Sequence, residues 1–350
     1  MERLDSQVLP EFIPDEDTLN EVMTRPSPVL VEFIKDLPDP LVVLGAGGKM
    51  GPTLAALAKR AAETAGNPLR VLAISRYTDK SVQRWLEAQH VETISADLLE
   101  REAYPSLPDA ENVIYMVGLK FGTSQNPGST WIMNTLVPAY VAERYRSARI
   151  VALSTGNVYP LVPVDGGGSR ESDPLEPVGE YGNACLARER IFDYYGRKYG
   201  TPMVMIRLNY AVDLRYGVLV DIAQKVYAGQ PVEVNTGYFN CIWQGDANDM
   251  IIRSLALAGS PPNALNLTSV EPFLIRSLTE QIAALMGRRV VIQGSEADNA
   301  YLSNTTRMRE LLGDPPTPID TVIKWTARWI QEGGATLNKP THFEVRDGKY

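Results

Sequence analysis

The chain of 350 residues has little of what metal or disulfide chemistry needs. Its two cysteines, Cys185 and Cys241, cannot build a disulfide framework and point to a reducing compartment. Its two histidines, His90 and His342, leave no histidine cluster, so no metal site is expected. No run approaches the roughly 20 uninterrupted apolar residues that span a bilayer. Acidic residues outnumber basic ones by 42 to 34, and the net charge of −8 offers no footprint for nucleic acid or anionic membrane. The acidic start Met1-Glu2-Arg3-Leu4-Asp5 lacks the basic-then-apolar run of a signal peptide. The expectation is a cytoplasmic protein with neither nucleic acid nor membrane as partner.

What is present is an ordinary globular composition, 44% hydrophobic and 22% charged, long enough for one large domain or two modest ones. Residues 1–38 form a Pro- and acid-rich extension, with one helix over 17–35 broken near Pro26 and Pro28. Short apolar runs follow at 41–44, 69–75, 93–96, 113–117, 150–154 and 203–206, with helical patterns between them. This alternation predicts an α/β fold, a Rossmann-type doubly wound parallel sheet buried on both faces. After Asn209 the pattern loosens, and helical stretches around 277–286, 304–312 and 320–333 indicate a smaller C-terminal α/β substrate lobe. The organisation expected is an extension (1–38), a dinucleotide-binding domain (39–210), a substrate lobe (211–333) and a polar, extended tail (334–350).

The first run leads into Gly45-Ala46-Gly47-Gly48-Lys49-Met50-Gly51 and an Ala-rich helix, the order a dinucleotide site requires. Glycines 45, 48 and 51 permit a tight turn, close approach of backbone to a pyrophosphate, and packing of helix on strand. The helix N-terminus then presents N–H groups and a positive dipole end to the phosphates. A nucleoside-triphosphate loop is excluded, because Met50 rather than Ser or Thr follows Gly48-Lys49. Gly45, Gly47, Gly48, Lys49, Met50 and Gly51 are therefore cofactor-binding candidates. The second run ends at Ser75-Arg76, where an acidic residue would grip a ribose 2′-hydroxyl. A guanidinium suits a 2′-phosphate instead, which tilts the expected cofactor toward NADP over NAD.

With these glycines spaced by three, the sequence resembles the extended short-chain dehydrogenase/reductase family, in its NAD-dependent epimerase/dehydratase branch, from about residue 41 to 331. Ala96-Asp97-Leu98 looks like the segment that meets the adenine ring. Tyr115-Met116-Val117-Gly118 resembles the strand beside the adenosine ribose, and Asn134 matches an Asn in the following helix. Leu153-Ser154-Thr155-Gly156-Asn157-Val158-Tyr159 resembles the family's Ser-Ser/Thr-x-x-Val-Tyr segment. The resemblance implies a catalytic hydroxyl at Thr155, a catalytic phenol at Tyr181, and cofactor contacts from Asp97, Leu98, Val117, Gly118, Ser154 and Tyr181. Residues 206–210 resemble the strand leading into the substrate site, and 263–267 and 319–330 the C-terminal lobe.

The family pairs its Tyr with a Lys four residues later on one helix face, where the ammonium lowers the phenol pKa. Here Tyr181-Gly182-Asn183-Ala184-Cys185 puts a thiol at that position. Three readings stay open: Lys120 supplies the charge, Tyr181 works with the cofactor's own positive charge, or turnover is lost and the chain binds without reacting. Members acting on nucleotide sugars carry an Arg before an Asp-Asp pair. Residues 238–246 have none, which points to a smaller carbohydrate-like substrate such as a polyol, free sugar or sugar acid. Asn209, Arg215 and Trp243 are candidate substrate contacts, alongside Thr155. A homodimer is the expected assembly, with the N-terminal extension one candidate for its interface.

Overall fold

The short apolar runs become strands of one parallel sheet in a computed structural model that describes residues 9–120, 122 and 125–349. The acidic start Met1 to Asp5 lies outside the described residues. The strands are β1 (Leu41–Leu44), β2 (Val71–Ser75), β3 (Glu92–Ser95), β4 (Asn112–Tyr115), β5 (Arg149–Thr155), β6 (Met203–Leu208) and β7 (Asn263–Leu267). They lie in the order β7-β6-β5-β4-β1-β2-β3, every neighbouring pair parallel. Among the described residues the α-helices, in chain order, are α1 (Glu16–Met23), α2 (Pro28–Ile34), α3 (Gly51–Ala65), α4 (Lys80–Ala88), α5 (Pro127–Arg144), α6 (Gly179–Tyr199), α7 (Val218–Tyr227), α8 (Gln244–Arg253), α9 (Ile275–Met286), α10 (Thr306–Leu312) and α11 (Ile319–Gln331).

Successive strand side chains point to opposite faces, so each strand feeds two cores. Leu41 and Val43 pack with α2, α3 and α8, whereas Val42 and Leu44 pack with α5 and α6. The order of the strands reverses at β1, which pairs with β2 on one side and β4 on the other. Crossovers leave in opposite directions there, opening a crevice beyond the carboxyl ends of β1 and β4.

A second core joins α1, α7, α9 and α11 around Trp243, Trp325 and Phe343. The N-terminal extension serves both cores. Asp15 caps α1 by accepting from the Thr18 amide at 2.8 Å, and Ser27 caps α2 ahead of Pro28. Leu19 and Met23 face the second core, while Leu30 and Ile34 face the sheet. The apolar faces of both helices are thus covered by their own chain.

Three features depart from the sequence expectation. Residues 263–267 are not part of the lobe: they pair in parallel with β6 as an edge strand of the main sheet. Helices α7 and α8 lie in the stretch after Asn209 where the pattern loosens, ahead of the helical stretches expected from 277 on. The tail has no helix or strand over 334–349, yet it is anchored. Thr341 donates to Asp221 at 2.5 Å, Phe343 is buried, and Arg346 donates to the Asn299 carbonyl at 2.8 Å.

Candidate active site

The glycine loop joins β1 to α3 at the mouth of the crevice. Gly45 takes φ +82, a conformation that glycine adopts without strain, and its N–H donates to the Ile74 carbonyl at 2.8 Å. A Cβ on Gly51 would stand 2.6 Å from the Ala46 backbone, so only glycine lets α3 start this close to the loop. The helix begins without a side-chain cap and with a Pro in its first turn. Its first N–H groups and positive dipole end therefore face the crevice.

Two cavities, of about 270 and 250 Å³, meet over Gly45, Gly48, Val117 and Gly118. The outer one is walled by Gly47, Ser75, Arg76, Asp97 and Leu98. Arg76 is exposed, with its guanidinium 3.9 Å from the Asp97 carboxylate, and Asp97 Oδ1 accepts from the Leu99 amide at 3.0 Å. Gly47 lies so close to Ser75 that a Cβ there would meet the hydroxyl at 2.6 Å.

The inner cavity carries Thr155, from the carboxyl end of β5, and Tyr181, from the first turn of α6. The Tyr181 phenol lies beside the side chains of Thr155 and Cys185, and the Thr155 hydroxyl donates to Asn157 Oδ1 at 3.0 Å. Enclosure by the cleft walls holds the phenol well above its ordinary pKa, and the neighbouring Cys185 sulfur adds to that shift. Cys185 is fully buried beside Val158 and Tyr159, and burial raises its thiol pKa as well.

Cations reach the same cavity from three directions. Lys120 Nζ sits 5.8 Å from the ring centres of both Tyr181 and Tyr210, and loss of solvation lowers its pKa to about 8. Lys49 Nζ donates to the Ala211 carbonyl at 2.7 Å and lies 4.0 Å from the Tyr216 ring centre, with its pKa lowered to about 7 by desolvation. Arg188, buried, donates to the Leu153 carbonyl at 2.6 Å and to Asn134 Oδ1. Its positive charge opposes the upward shifts of Tyr181 and Cys185.

The geometry corrects several expected contacts. Arg215 is outside the cleft: it pairs with Asp213 at 3.0 Å and Glu16 at 3.4 Å, tying the lobe to α1. Trp243 is 3% exposed and packs edge-on against Trp325, because its large apolar ring belongs to the second core. Asn209 borders the inner cavity, but its amide donates toward Ser303 and Tyr301. Ser154 also borders it and spends its hydroxyl on Glu189 at 2.5 Å. Sequence reasoning missed Arg188, Tyr216 and Thr341, which line the inner cavity together with Tyr210, the last residue of the segment expected to lead into the substrate site. The spacing 181, 185, 188 places Arg188 on the same helix face as Tyr181, a signal present in the sequence.

A glycine loop at the switch point, opening onto a two-part cleft, defines a Rossmann-type dinucleotide-binding protein. Residues 41–234 match the model of the NAD dependent epimerase/dehydratase family, more than half of the chain, and the protein belongs to that family. Among solved structures, a UDP-galactose 4-epimerase is 20% identical, with a TM-score of 0.67 over 84% of this chain and 99% of that one. The dTDP-glucose 4,6-dehydratase of Bacillus anthracis in complex with NAD is 15% identical, with a TM-score of 0.71 over 85% and 97%. The Thermus thermophilus UDP-glucose 4-epimerase in complex with NAD is 19% identical, with a TM-score of 0.67 over 84% and 99%. At these identities the likeness is one of fold. The comparison with curated protein sequences finds no match. Among the described residues no helix is long and apolar enough to cross a membrane.

Proposed function

We propose that the chain is an NAD(P)-dependent oxidoreductase or epimerase acting on a hydroxyl or carbonyl of a sugar or sugar-derived molecule. The observation that carries this reading is that Thr155 and Tyr181 line one cleft continuous with the glycine loop. The cleft fits a dinucleotide: the loop amides and the start of α3 would hold the pyrophosphate, with an adenosine half between Ser75 and Leu98. A nicotinamide held there would supply or accept the hydride. Tyr181 holds a proton at Oη and, in the reducing direction, gives it to the substrate oxygen. Thr155 hydrogen-bonds the same oxygen and fixes its line of approach. Lys120 and Arg188 offset the charge left on the phenol, a task Cys185 cannot perform.

The finer points belong to the same proposal. Arg76, exposed at the outer cavity, supports NADP over NAD, with Asp97 as its competing partner. A substrate without a nucleotide is supported by residues 238–246, which bring no cation to the cleft. There Asn240 Oδ1 accepts from the Ser303 amide, and Cys241, Ile242 and Trp243 are buried. A homodimer is supported by exposed Ile132 and Leu136 on α5 and Tyr194 on α6.

The competing reading is a dinucleotide-binding protein without turnover, favoured by one observation: Tyr181 is tuned away from ionisation beside Cys185. Nicotinamide absorbance with a panel of sugars, polyols and sugar acids separates the two. Turnover that Tyr181→Phe reduces at least a hundredfold supports the enzyme. Tight NAD(P) binding with no turnover across the panel supports the binding protein, and turnover untouched by Tyr181→Phe refutes the assigned role.

A further inference from the structure

Among the described residues the inner cavity is lined by Lys49, Lys120 and Arg188 and by neither Asp nor Glu, in a chain whose net charge is −8. Such a wall is costly for a site meant for neutral sugars, because cations withdrawn from water lose solvation. The acids nearest Lys49 are already committed. Asp213 is paired with Arg215 at 3.0 Å, and Asp221 accepts from Thr341 at 2.5 Å.

Lys49 is the informative member. Its backbone belongs to the glycine loop, but its side chain leaves the loop, crosses to the Ala211 carbonyl and comes to rest against the Tyr216 ring. This reach puts the ammonium on the wall formed by the segment after β6, across the cleft from the outer cavity. An ammonium carries three donors, and the Ala211 carbonyl takes one at 2.7 Å. Thr341 and Tyr210 line the same cavity, adding polar groups of the kind that orient a hydroxylated ligand.

We propose that the substrate is a carboxylate-bearing, sugar-derived acid, with the Lys49 ammonium as the group that binds its carboxylate. The inference rests on the dinucleotide-dependent reading above and names the substrate class for the same cleft. Lys120 then stays beside Tyr181, and Lys49 fixes the distal, charged end of the ligand. A bound carboxylate neutralises the wall and makes its cations stabilising rather than costly.

The test is calorimetry and thermal shift on the full chain, first with NAD or NADP alone, then with saturating cofactor and D-glucuronate, D-galacturonate or D-gluconate. D-glucose, D-galactose and D-sorbitol are the neutral counterparts. The expected result is binding of at least one acid and at least tenfold weaker binding of every neutral counterpart. Lys49→Met should weaken the acid about 10- to 100-fold and leave the cofactor Kd within about twofold, while Lys49→Arg restores most of the affinity. Neutral sugars that bind as well as the acids overturn the proposal, as does a panel in which no acid binds. If Lys49→Met loses cofactor and acid affinity equally, the ammonium serves the pyrophosphate and the proposal fails. A wild-type chain that binds neither NAD nor NADP overturns the functional reading itself, an outcome visible before any acid is added.

Discussion

Arg207 and Glu189 form an ion pair at 2.8 Å, with their side chains 6% and 4% exposed. The pair sits between β6 and α6, and its free positions are filled: Ser154 donates to Glu189, and Arg207 donates to the Tyr159 hydroxyl at 2.7 Å. Tyr159 in turn donates to Asn266 at 2.8 Å on β7. The network thus fixes the ends of β5, β6 and β7 against the helix that carries Tyr181. Glu189→Gln leaves a buried guanidinium without its counter-charge and should cost about 3–5 kcal/mol in urea unfolding. Replacing both partners with apolar residues of similar volume should cost less than either single change. A Glu189→Gln chain as stable as the parent would show that the pair is not what holds these strands to α6.

Cys185 cannot supply the positive charge that would support an ionised Tyr181. If Lys120 supports the phenolate of Tyr181, Lys120→Met should lower kcat about a hundredfold with a smaller change in KM. Cys185→Lys should not rescue catalysis. It forces an ammonium into a fully buried site beside Arg188 and Lys120, so the expected result is a lower Tm and no gain in kcat. A tenfold rise in kcat for Cys185→Lys would show instead that the ordinary pairing is merely absent, not replaced.

At Gly51 the obstacle to a side chain is backbone, since a Cβ would stand 2.6 Å from Ala46 Cα and O. Backbone cannot rotate away as a flexible side chain can, so α3 must shift off the loop. Gly51→Ala should destabilise the protein by about 1–3 kcal/mol and weaken cofactor binding more than tenfold, read by thermal shift with and without NAD. Unchanged cofactor affinity would mean that the register of α3 on the loop is irrelevant to the pyrophosphate.

The central strands were legible because they are short apolar runs, buried on both faces, between glycine turns and helical patterns, whereas edge strand β7, Asn-Ala-Leu-Asn-Leu, lacks that signature. The lobe was less so. The run Val218-Leu219-Val220 at the start of α7 has the composition of a strand, and only packing against α9 and α11 settles it as helix. Helix α8 is masked for the opposite reason. Its polar Asn248 and Asp249 are buried, and Asn248 donates to Thr53 at 3.0 Å within the junction of sheet and lobe. Thr155 and Tyr181, singled out by motif, line one cavity, whereas Trp243 lies in the second core, because a lone aromatic does not reveal which core it fills. The direction of the Lys49 side chain was invisible, since no helical or strand periodicity governs a loop.

The charge on Lys49 gives the proposed acid site a pH dependence of definite sign. Desolvation lowers the Lys49 pKa to about 7, partly opposed by Asp213 and Asp221 and reinforced by Lys120 and Arg215. Lys120 follows at about 8. A sugar carboxylate is ionised throughout the range above pH 5, its pKa lying near 3–4, so only the protein side titrates. Below pH 7 the ammonium is charged and affinity for the acid is at its plateau. As pH rises through 7, binding must first recharge Lys49, so the association constant falls toward tenfold per unit, and more steeply beyond pH 8 as Lys120 discharges. Isothermal titration from pH 6 to 9 in buffers of different ionisation enthalpy should show proton uptake on binding in the upper range. Lys49→Arg, charged at every pH tested, should shift the break upward to that of Lys120. A flat profile for the parent chain would mean that no titrating cation meets the carboxylate.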